Sequence, residues 1–136
     1  MSKIIYAKAF NNHLNDFFDD LIFIFTEINI DVSDLHIGKS SCQTIVKFNI
    51  TSILKGWYKY TKPYNEQIVN GDVSFFLNKD YSDDLSTSTI KSSAEEVINR
   101  LRDPVKLLDD VNKEKSMQYI QNLTKLAKLY IENTEM

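Results

Sequence analysis

"FNNHLNDFFDDLIFIFTEI", residues 10–28, decides how the rest of the chain is read. Its apolar residues Phe10, Leu14, Phe17, Phe18, Leu21, Ile22, Phe25 and Ile28 recur in steps of three and four, the repeat of one helix face. Asn11, Asn12, Asn15, Asp16, Asp19 and Asp20 fill the other face, with the acids towards the N-terminal half, where they complement the helix dipole. Phe23 and Ile24 fall off this stripe, which predicts burial on two sides for the last turns. The spacing predicts a helix over residues 10–29, preceded by an N-terminal arm of residues 1–9.

Composition points the same way. The chain has 136 residues, enough for one core, with 43% hydrophobic and 26% charged residues. Three glycines and two prolines are too few for the many turns of a sandwich or barrel. The expected fold is all-α, a single-domain irregular bundle of five or six helices over residues 1–136. No two glycines lie close enough to build a phosphate cradle. A net charge of −3 gives no general attraction to nucleic acid or anionic lipid. The lone Cys42 cannot form an intrachain disulfide, so a reducing compartment is expected. The opening "MSKIIYAKAF" lacks a secretory pattern and the longest apolar run is far too short for a membrane span, so the protein is not expected to be secreted. Two sequons, at Asn49 and Asn122, then occur by chance.

Downstream, "NIDVSDLHIGKSS" (residues 29–41) reads as a loop with at most a single helical turn, because Asp31, Ser33 and Asp34 are capping residues and Gly38 can stop a turn. Residues 41–60 place Ile45, Phe48, Ile50, Ile53, Leu54, Trp57 and Tyr58 at mostly helical spacing. Val46, Phe48 and Ile50 also alternate as a strand would, but the pattern beyond Ile50 is helical. Pro63 ends or kinks that helix, Gly71 supplies a left-handed stop, and Asp72 can cap a short helix whose Phe75 and Phe76 face inward. Residues 82–92 form a polar linker. Ser92 with Glu95 and Ser93 with Glu96 match capping boxes for a helix carrying Val97, Ile98 and Leu101, which Pro104 ends or kinks near Arg102. Val105, Leu107 and Leu108 read as a brief buried turn. Asn112 is expected to cap a long C-terminal helix over residues 113–132 with Met117, Ile120, Leu123, Ala127 or Leu126, and Tyr130 on its stripe. The expected core includes Phe17, Leu21, Phe25, Leu54, Trp57, Phe76, Leu101, Ile120 and Leu123.

Few groups offer chemistry. His13 and His36 are the only histidines and lack short metal-ligand spacing to each other or to Cys42, so no metal or cofactor is expected. Cys42 sits in no nucleophile setting and reads as a buried thiol. A calcium loop starting at Asn78 fails at its sixth and twelfth positions, which are Asp83 and Thr89. Neighbouring acidic pairs such as Asp19/Asp20 diverge on a helix and make poor acid–base couples. No enzyme is expected. Lys55, Lys59 and Lys62 interleave with Trp57, Tyr58, Tyr60 and Tyr64, as on surfaces that bind single-stranded nucleic acid. The alternative is aromatic residues in the core with lysines extending outward, and the helical spacing favours it. Lys55, Lys59, Tyr60 and Lys62 are the candidate interaction surface.

Strings within "FNNHLNDFFDD" and "GWYKYTKPYNEQIVNGDVSFFLNKDYSDDL" set a further expectation. Phe10-Asn11-Asn12-His13, Trp57-Tyr58, Pro63-Tyr64, Gln67-Ile68, Gly71-Asp72, Phe75-Phe76 and Asn78-Lys79-Asp80-Tyr81 resemble a group of short proteins encoded by large nucleocytoplasmic DNA viruses. The resemblance spans most of the first 85 residues and implies a viral, all-helical protein, without an activity. A minor capsid or other virion component docking on larger capsid subunits is the expected role, in the virion or the infected-cell cytoplasm. The alternative is a regulator that binds single-stranded nucleic acid or a host protein through residues 55–64.

Overall fold

The computed structural model describes residues 4–72 and 93–134, and these are helical throughout apart from turns. Five helices of ten residues or more pack together: α1 (Ile4–Glu27), α2 (Ser33–Phe48), α3 (Ser52–Thr61), α5 (Ser93–Lys106) and α6 (Asp110–Thr134). Between α3 and α5 lie a 3-10 turn (Lys62–Tyr64) and the short α4 (Asn65–Val69). There is no strand among the described residues. The expected helix at residues 73–81 with Phe75 and Phe76, the polar linker of residues 82–92, the calcium-like string and the Ser92 cap lie outside the described residues.

The stripe of α1 is the spine of the core. Phe10, Leu14, Phe17, Phe18, Leu21 and Phe25 are all buried. Helix α6 packs along α1, α2 bridges α1 and α5, and α3 rests on α5 and α6. Contacts of Asp19 with Lys39 and of Asn11 with Ile50 set α2 antiparallel to α1. Every described member of the expected core (Phe17, Leu21, Phe25, Leu54, Trp57, Leu101, Ile120 and Leu123) is buried.

Several boundaries differ from expectation, each for a local reason. Residues 4–9 are not an arm: Ala7 is wholly buried and carries the stripe one turn upstream, a small residue that hydropathy underweights. Asn11 does not face solvent. It is buried and its Nδ2 donates to Ile50 O at 2.9 Å, so α1 holds the α2–α3 connection by a side-chain bond. Of the two residues off the stripe, Ile24 is half-buried against the core while Phe23 is 66% exposed, so the expected second buried side is only partly present. Helix α1 ends in a Schellman turn. Asn29 takes φ 59°, with Asn29 N donating to Thr26 O and Ile30 N to Phe25 O.

The largest correction is α2. Residues 33–48 form a 16-residue helix whose first half occupies the expected loop of residues 29–41, and Gly38 lies inside it as a packing position. Asp31 Oδ1 accepts from Ser33 N at 2.9 Å and from Ser33 Oγ, a local turn just ahead of a helix whose N-cap, Val32, has no side-chain cap bond, so these polar residues precede or enter the helix and do not replace it. The long helix expected over residues 41–60 is split at Asn49, whose backbone is extended and whose Oδ1 accepts from Thr51 N and Oγ1. Such local side-chain bonds compete with helix continuation. Phe48, expected on the buried stripe, is 88% exposed as a result.

Pro104 does not end α5, which continues to Lys106. Val105, expected in a brief turn, is buried inside this last stretch of α5, and in the turn that follows Leu108 is buried but Leu107 is 66% exposed. The cap of α6 is Asp109 and not Asn112: Asp109 Oδ1 accepts from Asn112 N at 2.9 Å, and the helix begins at Asp110.

The expected left-handed stop at Gly71 is present, at φ 78°. Gly71 N donates to Ile68 O and Asp72 N to Gln67 O, a second Schellman turn, and Gln121 Nε2 of α6 donates to Ile68 O at 2.9 Å. Gly71→Val should cost about 1–2 kcal/mol or more, because a β-branched residue resists this backbone region. Urea unfolding would measure it, and a cost near zero would mean that the turn rearranges freely.

Candidate interaction surface

Helix α3 turns Ile53, Leu54, Trp57, Tyr60 and Thr61 inward at steps of three and four, which puts Trp57 and Tyr60 in the core and leaves Tyr58 and Tyr64 half-buried at its edge. Lys55, Lys59 and Lys62 are exposed. Tyr60 is 7% exposed and belongs to the interior, a correction to its place on the candidate surface. Trp57 is wholly buried, with its Nε1 donating to Thr124 Oγ1 of α6 at 3.0 Å. The half-buried Tyr58 has the Lys62 ammonium 5.7 Å from its ring centroid, and Lys59 lies 5.9 Å from that of Tyr60. The lysines share a flank. Two of the four rings that base stacking would use, Trp57 and Tyr60, are taken by the core.

His13 lies at the seam of α1 and α6. Its ring is 4.7 Å from that of Tyr119, which stacks on Phe17 at 4.8 Å and donates its hydroxyl to Asp20. Burial, then the bond to Asp20 and the nearby carboxylates, push the Tyr119 pKa up. His13 Nε2 is buried without a hydrogen-bond partner among the described residues. Desolvation lowers the His13 pKa below its ordinary 6.5, and Asp16 opposes this in part. The unfolded chain therefore takes up this proton more readily than the folded one. That contribution to stability is present above about pH 6.5 and is lost as pH falls through the window down to the folded pKa. His13→Gln should flatten the decline in urea midpoint between neutral and mildly acidic pH. An unchanged decline would remove His13 as its source.

His36 is exposed on α2, and Cys42 is buried in the core. Among the described residues, no group of three or more His, Cys, Asp or Glu side chains is arranged to hold a metal ion. No helix among them is long and apolar enough to cross a membrane.

The surface that sequence reasoning missed lies where the α1–α2 and α5–α6 connections meet. A groove of about 370 Å³ has Phe25, Leu35 and Pro104 in its walls, with Ile30 and Leu107 also lining it. Ile30 is 40% and Leu107 66% exposed. Asp31, Asp34 and Asp103 add three carboxylates against one guanidinium, Arg100, which lies 3.7 Å from Asp34. Hydrogen bonds from Ser33 hold the Asp31 pKa below the usual carboxylate range. Ile28 in the first connection and Val111 at the start of α6 are exposed as well. The available signal was the placing of apolar residues in otherwise acidic connections, "EINIDVSD" and "KLLDDV".

The fold and this surface define an all-helical protein with an acidic-rimmed apolar groove at one end. Compared with family models, curated proteins and solved structures, the chain matches none.

Proposed function

We propose that this chain is a non-enzymatic structural or interaction protein, a minor virion component that docks on larger capsid subunits. The observation that carries the docking role is the concentration of exposed apolar side chains at two connections: Ile28 and Ile30 in one, Leu107 and Val111 at the other. Single exposed apolar residues are ordinary, whereas Ile30 and Leu107 line a common groove. The virion setting rests on the resemblance of the strings in residues 10–81 to proteins of large DNA viruses. Quantitative mass spectrometry of purified particles tests it. The protein should be present in fixed ratio to the major capsid subunit, and crosslinks should join its α1–α2 or α5–α6 connection to that subunit. Recovery only from infected cytoplasm would overturn the virion role.

A regulator bound to single-stranded nucleic acid is the second reading, supported by Lys55, Lys59 and Lys62 on one exposed flank. Three phosphate contacts would give a log–log salt slope of about −2 in filter binding. No retention at low salt would dismiss it.

A further inference from the structure

We propose that the groove between the α1–α2 and α5–α6 connections binds an amphipathic segment of a partner protein, its apolar side chains seated between Ile30 and Leu107 and its basic side chains on the acidic rim. This rests on the docking role above and names the chemistry of the partner.

Two features of the groove specify that chemistry. Phe25 and Leu35 are each 2% exposed, so the inner wall is core material. The more exposed Ile30 and Leu107 give an incoming apolar side chain a surface to bury. Around them the lining charges are three carboxylates and one guanidinium, a net of −2. Asp34 is 85% exposed at its side chain and faces Arg100 across 3.7 Å, so a basic partner group can approach it from solvent. An apolar anchor with flanking Lys or Arg satisfies both features, the arrangement by which amphipathic helices dock in grooves. Charge also selects against other occupants. A second copy docked through the same patch would set acidic rim against acidic rim. Nucleic acid and anionic lipid meet the same repulsion.

The test uses the full chain and three fluorescent synthetic peptides of equal length: one amphipathic in Leu and Lys, one with Glu for each Lys, and one with Ser for each Leu. Anisotropy titration should show binding of the Leu/Lys peptide alone, weakening as salt rises. Amide shifts in a nitrogen-15 spectrum should map to residues 28–35 and 100–108. Leu107→Ser and the pair Asp34→Asn with Asp103→Asn should each weaken binding about tenfold or more with the melting temperature held, since these side chains are exposed. Equal binding of the Lys/Ser peptide would overturn the proposal in favour of charge alone. Shifts mapping elsewhere, no binding, or a concentration-dependent dimer abolished by Leu107→Ser would overturn it too. Particle mass spectrometry separates the two claims: a protein present in virions that binds no peptide docks by another surface, and one that binds the peptide yet is absent from virions keeps the groove and loses the virion role.

Discussion

Trp57→Ala should lower stability by about 3–5 kcal/mol, the cost of emptying a large buried aromatic site. Trp57 is wholly buried on α3 and meets Phe10 of α1 edge to face, with ring centroids 6.0 Å apart. Its indole N–H donates to Thr124 Oγ1, whose hydroxyl in turn donates to Ile120 O within α6. One side chain thus joins three helices. Domains of this size have total stabilities on the order of 5–15 kcal/mol, so the loss removes a large share of what keeps the chain folded. The melting temperature should fall by roughly 10–20 °C. Trp57→Phe keeps most of the ring and forfeits the hydrogen bond, so it should cost only about 1–2 kcal/mol. In the intact protein the Trp57 emission should be blue-shifted and protected from acrylamide. Ready quenching, or a cost below about 1 kcal/mol for the alanine variant, would contradict a buried Trp57 and return the basic segment to the surface.

The burial of Trp57 shows which parts of the fold are legible in the sequence. Apolar residues at steps of three and four identify a helix face wherever the stripe is continuous, and Phe10, Phe17, Leu21, Trp57 and Ile120 were placed by that rule. Gly71 was legible because only a few residue types take positive φ at a helix end. Asn29 performs the same task at the end of α1, with a side chain that signals it less sharply. Helix α2 was hidden by polarity. Within Ser33–Phe48 only Leu35, Gly38 and Cys42 are buried, so the inward stripe is carried partly by small residues that hydropathy scores poorly. Asn49 broke the following helix through bonds to Thr51 that periodicity does not encode. The groove was illegible for a different reason. It is assembled from connections more than sixty residues apart, and only the packing of α2 on α5 brings Asp34 to Arg100.

That packing depends on Gly38, and Gly38→Val should destabilise the protein by about 2–3 kcal/mol through overpacking. A glycine inside a helix ordinarily costs about 1 kcal/mol relative to alanine, so its presence in α2 calls for a compensating contact. A β-carbon at Gly38 would lie 2.9 Å from Phe18 Cε1 and 3.1 Å from Arg100 Cδ. The arginine stem can move, but the Phe18 ring is wholly buried in the α1 stripe and has little room. Gly38→Ala should therefore fail to deliver the usual helix gain, ending neutral or destabilised by up to about 2 kcal/mol. The decisive measurement is a double-mutant cycle in urea. Phe18→Leu vacates the space that the new methyl needs, so Gly38→Ala should become stabilising in that background, with a coupling of about 1 kcal/mol or more. Additive effects would show slack between α1 and α2 and would refute the close-contact account. The same cycle reaches the groove, because the Arg100 side chain that a β-carbon at Gly38 would meet also faces Asp34 on the rim. A methyl that displaces the Arg100 stem should disturb that charge pair, so Gly38→Ala should alter capture of the Leu/Lys peptide while Gly71→Val, at a turn bonded to α4 and next to Gln121 of α6, leaves it unchanged.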